Sequence, residues 1–375
     1  MIVSTYMDIT VKRSTLLKPL QAISGIVEKK QTIPILSNVL LNAQNNALLL
    51  TATDMEMELV GSLPLEQITV EGSTTVSGRK LFDICRVLPE NAHLHLSLQG
   101  NYLMLRSGDS SFSLTTLPPQ DFPKTEETVY AAQFTLKPNS FKTLLDKIYF
   151  SMGLQDVRHY LNGTLLHINQ TGITGVATDG HRLALSSLSH QATGNPSVKI
   201  ILPRKSVLEL MRLINISSEE TKEYQIEVNE GRMRVNANDF CFTSKLINTQ
   251  YPDYRKLIQR GTEIASGNRE AIRQALARAA ILSNEKFRGV RIRLSNNQLH
   301  IMANNMEQEQ AEEVVPVEYQ GNEMEMGFNV TYLIDVLSSI SSENVQLIFS
   351  DPSKGVLIES VEDLHSLYVV MPMRL

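Results

Sequence analysis

Three short signatures recur about 125 residues apart: Thr53-Asp54, Thr178-Asp179 and Asn304-Asn305, each closing an apolar run with strand-like character. A fixed long period of this kind is what tandem copying of one domain leaves behind. A second register agrees with the first. Ser77-Gly-Arg-Lys80, Leu202-Pro-Arg-Lys205 and Gly327-Phe-Asn-Val330 each follow a β-prone stretch and open a helix-like one, so positions 80, 205 and 330 fall at the same spacing. At 375 residues the chain exceeds one ordinary core, and usual domain sizes predict two or three domains. The repeat selects three, expected at residues 1–130, 131–257 and 258–375.

Each copy divides again. Leu16, Leu17, Leu20 and Ile23 have helical spacing, Ser14 is placed to cap that helix, Pro19 lies early in it and Gly25 marks its end. Val39-Leu40-Leu41 and Ala47 to Leu50, separated by polar Asn42 to Asn46, predict a hairpin, and Met55, Met57 and Leu59 alternate with Glu56 and Glu58 as in a half-buried strand. The pattern then restarts with a helix from Arg79 to Leu88 and strands at His93 to Leu98, Tyr102 to Ser107 and Ser111 to Thr116. Thr51 to Leu59 resembles Arg106 to Leu114, so each copy is a duplicated strand-helix-strands module. Helices grouped on one face of largely antiparallel sheet make an α+β fold. The Pro-rich stretches Leu117 to Pro123 and Thr249 to Tyr254 place linkers near 124–132 and 255–263.

Net charge is −5, yet six helix-like windows (12–30, 78–88, 137–150, 203–213, 268–288 and 328–341) together hold +12, leaving −17 for the rest. Such separation suits one basic face that attracts phosphate and an acidic exterior. No segment approaches the roughly 18 apolar residues of a membrane span, and Met1 to Arg13 lacks the pattern of a secretion signal; a cytoplasmic protein is expected. Cys85 and Cys241 sit in different copies within apolar patterns, which suits reduced core thiols over a disulfide or metal cluster. No cofactor is expected.

The local strings are specific. Phe112-Ser-Leu-Thr-Thr-Leu-Pro118 with Asp121-Phe-Pro123, Asp156 to Gly163, Ala177-Thr-Asp-Gly-His-Arg-Leu-Ala184, Ala280 to Val290 and Tyr368 to Leu375 closely resemble the bacterial β sliding clamp family, the processivity subunits of DNA polymerase III. The likeness runs from about Met7, where members usually begin, so Met1 to Tyr6 reads as an extension or an upstream start. It implies head-to-tail homodimers forming a ring of six similar domains around duplex DNA, helices inside and sheets outside. Lys30, Arg79, Gln155, His159 and Tyr160 match positions that touch DNA in the family, with Lys80, Arg204 and Lys205 adding to the inner field. Lys30 and His159 depart from the usual Arg and aromatic residue.

The resemblance further implies a pocket for short peptides of the polymerase catalytic subunit, the clamp loader and other clamp-binding proteins. Its matching residues are Leu161, Thr178, Gly180, His181, Arg182, Leu183, Pro252, Lys256, Leu257, Asn329, Tyr332, Ser353 and Gly355, with the tail Val369, Val370, Met371, Pro372, Met373, Arg374 and Leu375. For dimer closure it places Phe112 and Leu114 on an edge strand against Ile281 and Leu282 on a helix of the other chain, with Arg106 and Lys80 opposite Glu307 and Glu309. Asp109 and Ser111 stand where the family is usually basic.

Asp179, His181 and Arg182 could instead be read as a hydrolytic or metal site. The first copy has Met after its Asp and the third has Asn304-Asn305 without His, so the shared element is a turn at a strand end. Neither a Gly-rich phosphate loop nor an HExxH spacing occurs. A clamp paralogue with a repair or resistance role is the nearer alternative.

Overall fold

The structure, a computed structural model, describes residues 7–27, 33–126, 128–189, 197–217, 222–237 and 240–374. Six α-helices occur among them: α1 (Arg13–Ile23), α2 (Gly78–Val87), α3 (Pro138–Asp146), α4 (Arg204–Ile216), α5 (Arg269–Ala279) and α6 (Val330–Ser339). Their starts recur about every 60 to 66 residues, so the long period is split in half, as the duplicated module predicts.

The helix starts are encoded locally. Ser77, Asn268 and Asn329 accept hydrogen bonds from the first-turn amides of α2, α5 and α6, each such cap contributing about 1 kcal/mol. Helix α1 departs from expectation. It begins at Arg13 after Lys12, which makes no side-chain cap, and Ser14 is already inside the helix. Arg13 anchors this end instead, donating from Nε to Cys85 O at 2.8 Å and from Nη2 to Arg86 O at 3.0 Å. These carbonyls close the last turn of α2, where a cation is favoured.

The hairpin Asn38–Gln44 and Ala47–Thr53 turns on Asn45 and Asn46, with φ of 50° and 57°, the left-handed pair that matches strand twist. Met57 and Leu59 are buried in strand Met57–Pro64 as expected. Met55 is not part of that strand: it sits in the preceding turn at φ 76°, 46% exposed.

Packing divides the chain into two compact units, Met1–Asn139 with Leu208–Leu246, and Ser140–Val207 with Ile247–Leu375. The first holds a thirteen-stranded antiparallel sheet; the second holds sheets of eight and four strands. The middle copy is thus shared. Its strand Phe240–Lys245 pairs with Met57–Pro64 of the first copy, while its strand Arg182–Ser189 pairs with Ser366–Val370 of the third. Backbone pairing across an exposed strand edge outweighs the covalent order of the copies. The Cys85 thiol is buried, which pushes its pKa up to about 12 and keeps it protonated. No described helix is long and apolar enough to cross a membrane.

Candidate functional site

The turn after strand Gly172–Thr178 is built from its own side chains. Thr178 Oγ1 donates to Arg182 O at 2.6 Å and accepts from Gly180 N at 3.1 Å, and Asp179 Oδ1 accepts from the amides of His181 and Arg182 at 2.9 and 3.0 Å. These are the local bonds that make Thr and Asp turn formers. Gly180 has φ 89°, and a Cβ there would lie 2.9 Å from Arg158 Nη2. The positive φ favours glycine, and a side chain there would displace the Arg158 guanidinium.

Arg158 escaped the sequence reading although its neighbours Gln155 and His159 were singled out. It stands over this turn, donating to both carboxylate oxygens of Asp156 at 3.1 and 3.0 Å and to Asp179 O at 3.5 Å. That guanidinium holds the Asp156 carboxyl down to about 2. A depressed carboxylate favours the fold above its ordinary pKa, and the contribution is lost as pH falls through about 2.

Arg182 has all three guanidinium nitrogens engaged. Nε donates to Asp179 Oδ2 at 3.0 Å, Nη1 to Asp335 Oδ2 at 2.5 Å and Nη2 to Phe150 O at 2.7 Å. The guanidinium carbon lies 4.5 Å from the ring centre of Tyr332, and the ring of His181 stacks on Tyr332 at 6.3 Å and 21°. Asn329 sets Tyr332 by capping α6, accepting from Thr331 N and Tyr332 N. With its side chain 11% exposed, Arg182 braces a rim; it is not poised for chemistry. Among the described residues no group of three or more His, Cys, Asp or Glu could hold a metal.

Beside this rim lies an apolar cluster. Leu165, Val176, Leu183, Ile201, Ile348, Leu357 and Val369 form its buried floor, and Tyr160, Ile247, Tyr251, Tyr254, Ile258 and Met371 pack on it while partly exposed. Of the residues expected here, Leu161, Leu183, Val369 and Val370 are buried, whereas Pro252, Lys256, Leu257 and Ser353 are exposed. Gly355 allows close approach, since a Cβ there would lie 2.6 Å from Val369 Cγ1 and 3.1 Å from Met371 Sδ. The tail is laid down by backbone bonds: Met371 N donates to His181 O and Met373 N to Gly327 O, both at 2.8 Å. Met371, Pro372 and Met373 are half-buried and Arg374 is exposed; Leu375 lies outside the described residues.

Ile247, Tyr251, Tyr254 and Ile258 were missed by the sequence reading. Their one signal was aromatic and branched residues flanking Pro252 at the end of a copy. Tyr160, expected on a DNA-facing surface, packs its ring edge-on against Tyr251 at 6.3 Å and joins this cluster. The surfaces offered are flexible thioether, aromatic and branched aliphatic groups, a lining that adapts to short apolar peptides.

Arg79 and Lys80 are exposed at the start of α2, Lys205 at the start of α4, and Gln155 and His159 on the loop after Met152, where Gln155 has φ 55°. Arg79 Nε lies 3.7 Å from Asp83 Oδ2. Arg204 is turned to the protein: Nη1 donates to Tyr149 O at 3.3 Å and Met152 O at 3.2 Å, bracing the loop that carries Gln155. Lys30 lies outside the described residues. Arg13, Arg204, Arg212 and Arg269 all donate to main-chain carbonyls, so the sequence count of +12 overstates the charge available to a ligand.

Among the strand edges left open, two lie beside residues expected at the dimer contact. Ser110–Leu117 pairs with Tyr102–Ser107 along its length but with Gly72–Ser77 only through Thr116 and Leu117; it is an edge strand at its start and an internal one at its end. Phe112 is half-buried and Leu114 is 7% exposed, covered within its own sheet. The other edge is Gln310–Pro316. Helix α5 stops at Ala279, short of the stretch to Arg288 read from sequence, and Ile281 and Leu282 occupy a 3-10 turn, Ala280–Leu282, with Ile281 77% exposed. Arg106 and Glu307 are exposed, and Glu309 accepts from Asn305 Nδ2 at 2.6 Å.

Comparison with known proteins is consistent along the whole chain. The model for the DNA polymerase III beta subunit N-terminal domain matches residues 7–126, that for the central domain 135–253 and that for the C-terminal domain 256–374. The beta sliding clamp of Pseudomonas aeruginosa is 46% identical over 370 residues, covering 98% of this chain and all of the relative. That of Escherichia coli is 46% identical over 371 residues with the same coverage. A crystal structure of the DNA polymerase III subunit beta from Pseudomonas aeruginosa is 45% identical with a TM-score of 0.95, covering 98% of this chain and 100% of that one. A sliding clamp from that organism bound to griselimycin gives a TM-score of 0.94 at 46% identity, with the same coverage.

Proposed function

This chain belongs to the β subunits of DNA polymerase III, the β sliding clamps, and from that premise we propose that two copies close head-to-tail into a ring that encircles duplex DNA and tethers the replicative polymerase. A β clamp is a non-catalytic subunit, which agrees with the Asp179 turn being structural. The observation that carries the tethering is the apolar cluster around Leu183, Val369 and Met371 under the braced rim of Arg182 and Tyr332. Its occupants would be short peptides of the polymerase catalytic subunit, the clamp loader and repair proteins, all in the cytoplasm. The domains of the ring would be residues 1–130, 131–257 and 258–375.

Ring closure would join the edge at Ser110–Thr115 of one copy to the edge Gln310–Pro316 of the other, with Ile281 covering Phe112. Arg106 and Lys80 would face Glu307 and Glu309. Exposed ion pairs contribute only about 0 to 1 kcal/mol each, so the loss of basic residues at Asp109 and Ser111 leaves strand pairing and apolar cover in charge of assembly. A dimer mass is expected by multi-angle light scattering at micromolar concentration; a monomer there would refute closure. The same two departures favour, as a second reading, a paralogue with a specialised role, and stimulation of the housekeeping polymerase on primed circular DNA separates it from the first.

Contact with DNA would be weak and independent of sequence, through Lys30, Arg79, Lys80, Gln155, His159 and Lys205, because sliding needs attraction to phosphate without base readout. Charge reversal of Lys30 and Arg79 together is expected to shorten residence on nicked circular DNA severalfold, with a weakened salt dependence. Unchanged processivity in primer extension would remove these residues from the DNA-facing surface.

A further inference from the structure

The first copy repeats the turn of the pocket bond for bond, with different chemistry on it. Thr53 Oγ1 donates to Met57 O at 2.7 Å and accepts from Met55 N at 3.0 Å, and Asp54 Oδ1 accepts from the amides of Glu56 and Met57 at 2.9 and 2.7 Å. Met55 adopts φ 76° where the pocket has Gly180 at φ 89°. The neighbouring strand is equivalent too. Lys245 N donates to Glu56 O at 2.9 Å, as Met371 N does to His181 O at 2.8 Å. The two registers then equate Glu58 with Leu183 and Thr243 with Val369, and Lys245 with Met371.

A cleft of about 230 Å³ lies at this turn, closed on one side by Pro123 to Glu126. At these three positions the apolar residues of the pocket are replaced by polar ones, while Met57 stands where the pocket has Arg182. Glu58 is half-buried in the cleft; Oε2 accepts from Thr125 Oγ1 at 2.7 Å, and the carboxylate forms no ion pair among the described residues. Arg232 and Lys245, register partners in the same sheet, line the cleft as well, with Lys245 Nζ 3.3 Å from Glu56 Oε1. Arg232 Nη1 donates to the main-chain carbonyl of Glu126 at 2.8 Å, which leaves its charge without a carboxylate partner among the described residues. A partly desolvated carboxylate and a guanidinium in one cleft, each without a counter-ion among the described residues, are matched by a ligand that carries both signs.

We propose that this cleft is a second peptide-binding site, taking an extended segment whose lysine or arginine side chain seats on Glu58 while a neighbouring acidic residue meets Arg232. It deepens the proposed tethering function, since the equivalence with the apolar pocket supplies the peptide geometry. One chain would then hold two partners of different sequence, one by apolar anchors and one by charge.

Methionine methyl groups report the two sites separately, because Met55 and Met57 line the cleft and Met371 lies on the apolar cluster. The full chain, labelled with 13C in its methionine methyls, is titrated with an acetylated, amidated pentapeptide having lysine second, aspartate fourth and alanine elsewhere. Saturable shifts are expected at Met55 or Met57 with Met371 unmoved, weakened at least tenfold by Glu58→Gln, which preserves the shape of the side chain. The triple variant Glu58→Leu, Thr243→Val, Lys245→Met is expected to bind an apolar pentapeptide with leucine second and fourth at this cleft, doubling its stoichiometry. No saturable shift at Met55 or Met57 with millimolar charged peptide, or a shift unaffected by Glu58→Gln, overturns the proposal. The apolar peptide on the unmodified chain, read at Met371, tests the first pocket independently.

Discussion

Removing Met371 to Leu375 is expected to lower the affinity for a clamp-binding peptide of the polymerase catalytic subunit by at least 100-fold, about 2.7 kcal/mol. Met371 packs on the floor made by Leu183, Ile348 and Val369, and its amide and that of Met373 hold the tail in place. Truncation takes away part of the apolar wall while strand Ser366–Val370 and its pairing with Arg182–Ser189 remain. Assembly should therefore survive. Fluorescence anisotropy with a labelled peptide reads the first effect, and light scattering of the same sample reads the second. Retained affinity would move the peptide elsewhere on the molecule, and a lost dimer would show that the tail supports assembly.

Replacing Arg182 by alanine is expected to cost about 3 kcal/mol of stability in the transition that reports on its own compact unit. Truncation leaves Asp179 and Asp335 without their shared cation, a loss of the kind that costs about 3 to 5 kcal/mol when the pair is buried. The lower end applies because Asp335 is 36% exposed and can be rehydrated. Arg182→Lys should recover little, since one ammonium cannot reach both carboxylates and the Phe150 carbonyl while lying over Tyr332. Urea unfolding followed by tyrosine fluorescence measures this, fitted with more than one transition as two compact units require. Peptide affinity should fall with it, because Tyr332 and His181 lose their support. A variant as stable as the parent would mean that Arg182 is not a brace.

The copies, the helices and the hairpins were legible in the chain because each depends on residues close in sequence: apolar periodicity, an Asn or Ser at a helix start, a Thr-Asp pair that closes a turn. The failures have more than one cause. Ser14 has the chemistry of a cap, yet Arg13 reaches carbonyls of α2, more than seventy residues away. Met55 continues the alternation of a strand, but the bonds of Thr53 and Asp54 force it into a turn. Tyr160 and Arg158 exchanged importance because Arg204 braces the start of their loop and Tyr251, far along the chain, meets the ring of Tyr160.

The charge count shows the same limit at the level of function. Lys and Arg in helix windows are countable, but whether each meets solvent or a carbonyl depends on which helix end lies beside it. Arg204 and Arg212 carry the same formal charge as Arg79, but they are half-buried and bonded to main-chain carbonyls while Arg79 is exposed.

The sequence by itself determined that one module was copied and halved, which segments are helix and strand, and which family the chain resembles, since these follow from short-range periodicity and local hydrogen bonding. Only the tertiary structure decided how the middle copy is shared between two compact units, which arginines are braces, and that the turn of the first copy opens onto a charged cleft where that of the second opens onto an apolar one. Those outcomes depend on strand edges and side chains far apart in the chain, where pairing and burial, not sequence proximity, set the energy.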